Sequence, residues 1–427
     1  MENLTAGTAG PSVELVQSVL KRLGFYKGEV SGRYDELTVE GVRAFQRDFG
    51  LAADGNINHS VWRALLPYIN GWSEYIVQEG DTLYKIAERF GTSVTRIEYA
   101  NPGLNPDIIR IGQKLQVPFG QVVPTNISYT SEILRLNIAA LKTIYPFLQI
   151  GIMGHSVLGQ SIPYIRIGRG ERKVFYSGAI HANEWIVTPV LMKFLEDYAL
   201  AWVNNEEIFG CPAREIYDRT TIYITPMCNP DGVDLATGKT GPGSAIYEHA
   251  RLIAAGYPAV PFPAGWKANI NGVDLNLQFP AGWEQAREIK FSQGITSPAP
   301  RDYVGVTPLS EPESIALYNF TKMNNFDLVL AYHTQGQEIY WQFMDYAGEE
   351  AYQIGREFSR VSGYLLADVP YASSFAGYKD WFLQEYGRPG YTIEAGIGEN
   401  PLPISQFDEI YRDNLGILVL GASPSIT

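Results

Sequence analysis

Apolar residues fall at helical spacing in the first part of the chain. Val16, Val19, Leu20 and Leu23 recur three and four apart until Gly24 and Gly28 interrupt them. Val39, Val42, Phe45 and Phe49 repeat the pattern up to Gly50, and "ADGNINHSVWRALL" reads as a turn feeding a third helix. Residues 11–69 are therefore predicted to form a small three-helix module. The next stretch, 74–118, changes period. Tyr75–Val77 alternates as a strand, Asp81 or Thr82 can cap a helix bearing Leu83, Ile86, Ala87 and Phe90, and Gly91 stands where a C-terminal cap belongs. A second short helix ends at "ANPGL", and "QKLQVP" returns as a strand, which gives a βααβ module.

"FGQVVPTNISYT", with Gly120 and Pro124, reads as a linker. Beyond it, the short apolar runs "KVFYSGAI", "TTIYITPM", "DLVLAYHT" and "GYTIEAG" predict strands, and helices are predicted over 130–145, 188–203, 311–324, 347–363 and 405–417. This alternation over 127–427 predicts an α/β domain with a buried mixed β-sheet flanked by helices. Active residues in such domains collect beyond strand ends.

Composition narrows the partners. A formal net charge of −13 argues against nucleic-acid phosphates. No apolar run approaches the ~18 residues of a membrane span. The opening "MENLTAGTAGPS" lacks the basic and apolar regions of a signal peptide, so the expected location is the cytoplasm, or the wall after removal of a leader. Two cysteines, Cys211 and Cys228, make no disulfide framework; one bridge is open to them, and two free thiols is the preferred reading.

Candidate chemistry begins at "SGAIHANEW". His181 and Glu184 follow an apolar strand at a turn, where side chains face a cleft. An HxxE match alone is weak, and a lone histidine is more often a packed core side chain. His333, however, also ends an apolar strand, and His59, His155 and His249 lie in polar, turn or helical contexts. Two imidazoles and a carboxylate with an open fourth position make a catalytic Zn²⁺ ligand set. Glu394 ends another strand and is the candidate base that takes a proton from water and passes it to a leaving amine.

Three resemblances follow from these motifs. Residues 11–69, with "LGFYKGEVSGRYDELT", "FQ" and "ADGNI", resemble the bacterial peptidoglycan-binding helical domain. Residues 74–118, with "YIVQEGDTLYKIA" and "GQKLQVP", resemble a LysM module, which implies binding to glycan strands. Residues ~127–420 resemble the zinc metallocarboxypeptidases through "GAIHANEW", "NPDG", "GVDLN", "AYHT" and "TIEAG". That resemblance implies one Zn²⁺ on His181, Glu184 and His333, with Glu394 as general base. It places Lys267 where the family has an arginine that polarises the scissile carbonyl. Asn276 is kept, but Leu277 replaces the arginine that grips a terminal carboxylate, so internal cleavage becomes plausible. Tyr371 matches the mobile tyrosine over the substrate, and Lys379 the specificity-pocket position.

Together the modules resemble the γ-D-glutamyl-L-diamino acid endopeptidases of spore-forming bacteria. This implies hydrolysis of the bond between γ-D-glutamate and a diamino acid such as meso-diaminopimelate in peptidoglycan stem peptides, in a sporulating cell or at its wall. An exo-acting carboxypeptidase and an inactive wall-binding protein are the alternatives.

Overall fold

The computed structural model describes residues 2–423, and the chain divides into two compact units. The first comprises residues up to 128 together with 132–148. Helices α1 (Pro11–Arg22), α2 (Glu36–Asp48) and α3 (His59–Asn70) bury Val16, Leu20, Val42, Phe45, Val61 and Leu65. Asp35 caps α2 by accepting from the Thr38 N–H. The buried amide of Gln17 is satisfied: it donates to the Arg33 carbonyl at 2.8 Å and accepts from the N–H groups of Ser31 and Gly32 at 3.0 Å.

Strands β1 (Trp72–Ile76) and β2 (Lys114–Pro118) pair antiparallel around helices α4 (Leu83–Phe90) and α5 (Val94–Ala100), the βααβ order expected. Thr82 is the cap of α4, while Asp81 instead accepts from the Tyr75 hydroxyl and the Gln78 N–H. Gly91 ends α4 at φ 63°, a left-handed conformation that a side chain would disfavour. Helix α6 (Ser131–Ile144) belongs to this unit from Glu132 onward, and its Asn137 donates to the Val122 carbonyl at 3.1 Å.

The second unit is built on an eight-stranded mixed sheet. Its strands are β3 (Gln149–His155), β4 (Ser161–Ile167), β5 (Arg172–Gly178), β6 (Thr220–Thr225), β7 (Leu328–His333), β8 (Glu338–Tyr340), β9 (Leu365–Ala367) and β10 (Gly390–Glu394). Their spatial order is β9-β8-β10-β7-β5-β6-β4-β3. The four central strands, β10, β7, β5 and β6, run parallel, so their C-terminal ends open on one side. Those four carry the apolar runs that the sequence pattern singles out.

Alternation along β5 loads both faces of the sheet. Phe175 packs on Phe320 of helix α8 (Pro312–Asn324), in a cluster with Trp381 and Phe382 of helix α10, numbered after α7 (Val187–Asn204) and α9 (Glu349–Ser362) and spanning Tyr378–Tyr386. Tyr176 faces the other way, against Phe194 of α7, and its hydroxyl donates to the Leu418 carbonyl of helix α11 (Phe407–Ala422). Each large apolar side chain so buried contributes about 1.5–3 kcal/mol. Residues 378–386, which read as part of a loop in sequence, are helical because Trp381, Phe382 and Leu383 are drawn into this core.

Candidate active site

The chain leaves β5 through Gly178, where a Cβ would approach Leu191 to 2.9 Å, and turns at Ala179 in the left-handed region with φ 48°. His181 follows, then a single 3₁₀ turn, Ala182–Glu184. Residues three apart eclipse in that geometry. His181 and Glu184 consequently point the same way, with Nδ1 and Oε1 3.0 Å apart. His333, the last residue of β7, brings its Nδ1 to 3.0 Å from both His181 Nδ1 and Glu184 Oε2. The Thr334 N–H donates to Glu184 Oε2 at 3.3 Å.

The surrounding chain fixes this turn. Asn229 of "NPDG" caps the helix Pro230–Ala236 and donates to the carbonyls of Ile180 at 3.2 Å and Ala268 at 3.1 Å. The Ala182 N–H donates to the Lys267 carbonyl at 3.0 Å, so the His181 turn and the Lys267 segment are held together. Asp274 stands behind His181, with Oδ1 3.1 Å from Nε2, while its Oδ2 lies 3.8 Å from the Lys267 ammonium. Asp274 lies within "GVDLN", yet its role is not evident from that motif alone. The available signal was an acid between the apolar Val273 and Leu275.

Assigning the proton of His181 to Nε2, toward Asp274, leaves the Nδ1 lone pair facing Glu184 and His333. Two imidazole nitrogens and a carboxylate, all within 4.8 Å of one another and buried, then converge on one point. A tetrahedron with metal–nitrogen bonds of about 2.0–2.1 Å has edges of about 3.3 Å, close to these separations. The donor set fits a zinc-type cation, with Asp274 as the orienting partner behind the histidine. It is the group of His, Cys, Asp and Glu side chains that meets this geometry among the described residues.

Charges balance in the same sense. Burial opposes ionisation of Glu184, yet His181 and His333 outweigh it and hold the carboxyl below its usual range. Burial lowers His181, but Glu184 and Asp274 lift it above its ordinary value. His333 is held below its ordinary value by burial, which favours the neutral ligand form. Burial also opposes ionisation of Asp274, and Lys267 and His181 together overcome it.

Glu394, at the end of β10, is in register with His333. Burial first, then repulsion from Glu184, pushes its carboxyl up to about 8. A divalent cation beside it acts in the opposite direction. Glu394, His181, Lys267 and His333 line a cleft of about 210 Å³, and Asn276, Leu277 and Lys379 share its wall. Asn276 accepts from the Tyr378 N–H at 3.0 Å. Lys379 is only 3% exposed; it donates to the Gln342 carbonyl at 2.6 Å and pairs with Asp380 at 2.5 Å. Its charge is thus neutralised rather than offered alone. Tyr371 is 73% exposed, leans on Phe375 and borders a neighbouring cavity instead of this cleft. A larger space of about 420 Å³ continues past Lys267 and Glu394 and is lined by Asn183, Arg301 and Asn400. Both cysteines are free thiols. No helix among the described residues is long and apolar enough to cross a membrane.

Comparison with known proteins agrees with this geometry. A zinc carboxypeptidase family model matches residues 137–416, a peptidoglycan-binding domain model residues 9–65, and a LysM model residues 75–118. The γ-D-glutamyl-L-diamino acid endopeptidase 1 of Lysinibacillus sphaericus is 45% identical over 401 residues, covering 82% of this chain and 99% of that protein. The protein YqgT of Bacillus subtilis is 40% identical over 294 residues, 68% of this chain and 76% of its own length. In fold, bovine thrombin-activatable fibrinolysis inhibitor superposes with a TM-score of 0.53 at 17% identity, over 69% of this chain and 96% of that one.

Proposed function

Because the chain belongs to the zinc carboxypeptidase family, we propose that it is a zinc-dependent peptidoglycan hydrolase that cuts the γ-D-glutamyl–L-diamino acid bond of stem peptides. The observation that carries this reading is the 45% identity along 99% of a γ-D-glutamyl-L-diamino acid endopeptidase, in a chain that also carries two wall-binding modules. Residues 11–69 and 74–118 hold glycan strands, and the segment from 127 onward carries the chemistry.

His181, Glu184 and His333 would hold one Zn²⁺, which supplies a Lewis acid that activates water and polarises the scissile carbonyl. Asp274 keeps His181 in the ligating tautomer. Glu394 takes the proton from the attacking water and returns it to the nitrogen of the departing diamino acid. Lys267 places a cation beside the carbonyl oxygen as negative charge develops there. It acts as a point charge, without the fork of an arginine. Leu277 leaves the cleft without a guanidinium at that position, which favours a substrate bound along its chain rather than by its terminus. Asn276 and the Lys379–Asp380 pair line the substrate's path, and Tyr371 stands on the loop beyond it.

Tethering to glycan raises the local concentration of stem peptides. Soluble oligomers of N-acetylglucosamine should therefore release the chain from insoluble peptidoglycan while hydrolysis of a free stem peptide continues at its original rate. Co-sedimentation measures the first and peptide turnover the second. Sedimentation indifferent to the oligomers would contradict glycan binding by the modules.

A further inference from the structure

Lys290 is the one cleft-lining cation that neither the family motifs nor the proposed chemistry uses. It lies in the helix Trp283–Ser292 and is 8% exposed, yet its side chain reaches the wall of the cleft that holds His181 and Glu394. Its one partner among the described residues is Asp302, at 2.7 Å from the ammonium. An ammonium carries three donors, so two remain without a protein acceptor. Asp302 is itself shared, since Arg301 Nε donates to its other oxygen at 2.7 Å. Two cations thus share the Asp302 carboxylate. Lys379 differs, with a carbonyl and its own carboxylate on the ammonium.

The position is fixed. Asp302 has a left-handed backbone, φ 67°, and its N–H donates at 3.3 Å to Asp274, the residue behind His181. Lys290 is therefore set at a constrained offset from the metal ligands. The open donors of an ammonium in the cleft wall need an acceptor, which water supplies in the free cleft and an anionic group of a bound ligand can replace.

We propose that Lys290 binds a free carboxylate of the diamino acid half of the substrate. This rests on the reading above that the substrate is a γ-D-glutamyl–diamino acid peptide. The assignment to that half follows from space. The acyl half continues into L-alanine and the glycan and requires the larger cavity of about 420 Å³ beside the half-exposed Arg301. The diamino acid half ends within a residue or two and carries carboxylates of its own. The cleft of about 210 Å³ suits it, and Lys290 offers an anion contact from the helix in its wall.

The test uses the full chain carrying Glu394→Gln, so that ligand survives, with Lys290 kept or changed to Met, Gln or Arg. Calorimetry compares L-alanyl-γ-D-glutamyl-meso-diaminopimelate having free diamino acid carboxylates with the same peptide amidated there. Losing one charge-assisted contact should weaken binding of the free acid roughly ten- to hundred-fold in Lys290→Met. The amidated peptide should bind both proteins alike, and Lys290→Arg should restore most of the loss. If the Met variant does not fold, Lys290→Gln reads the same contrast. Equal weakening of both peptides, or none of either, overturns the role of Lys290. Cleavage of the free-acid peptide by the unsubstituted enzyme is scored separately. Carboxylate-dependent binding without cleavage would overturn the peptidase reading and leave Lys290 standing.

Discussion

Glu394→Gln will lower turnover by roughly 10²–10⁴-fold, the loss expected when a positioned general base is removed, while metal content stays at the level of the unsubstituted chain. Glutamine has the shape of glutamate and still fills the end of β10 beside His333, so the fold has little reason to change. What disappears is a group that can receive a proton from water and deliver it to an amine. The same substitution makes a prediction in pH. Burial and Glu184 raise the Glu394 carboxyl, to about 8 in the metal-free site. A neighbouring cation lowers it again, and only the ionised form can act as base. kcat/KM should therefore rise with pH through the ionisation of Glu394, and that acid limb should vanish from the residual activity of the glutamine variant. Near-normal turnover in a folded, metal-loaded variant would remove Glu394 from the mechanism.

His333→Ala should have an effect at least as large, by a different route. Even partners behind a metal ligand cost about 10–100-fold in affinity when changed, and His333 is one of three residues in the cluster itself. Zinc affinity should fall by more than ~10²-fold, and activity should fall with it. Elemental analysis after dialysis measures the first, and peptide turnover the second. Circular dichroism must show that the variant folds, because His333 is buried and alanine leaves a small void. Equal zinc in both proteins would mean that the metal is held elsewhere.

Much of this arrangement was legible in the sequence because its signals are local. The three N-terminal helices and the βααβ module have caps, glycine stops and regular periods within a few residues of one another. The four central strands are apolar runs bounded by polar turns, and three of them deliver a ligand or base at or just beyond their ends. Other parts depend on distant chain. Strand β3 alternates weakly because much of it is exposed, and β8 and β9 are three residues each, too short for a period to show. Lys379 stands at the specificity-pocket position that the family resemblance implies, but the core draws its helix inward and Asp380, its neighbour, pairs with its ammonium. Lys290 carries no signal in the sequence pattern, since nothing near it along the chain announces Asp302 or the cleft. Asp274 was hidden for a similar reason: its importance lies in reaching His181, 93 residues away.

The central claim is the bond that is cut, and mass spectrometry of purified muropeptides after incubation with the zinc-loaded full chain tests it most directly. Hydrolysis between γ-D-glutamate and the diamino acid predicts glycan that retains L-alanyl-D-glutamate, together with a free fragment beginning at the diamino acid and carrying whatever residues follow it. Release of a single C-terminal residue, with the diamino acid still attached to the glycan-linked stem, would contradict the claim and identify an exo-acting carboxypeptidase instead.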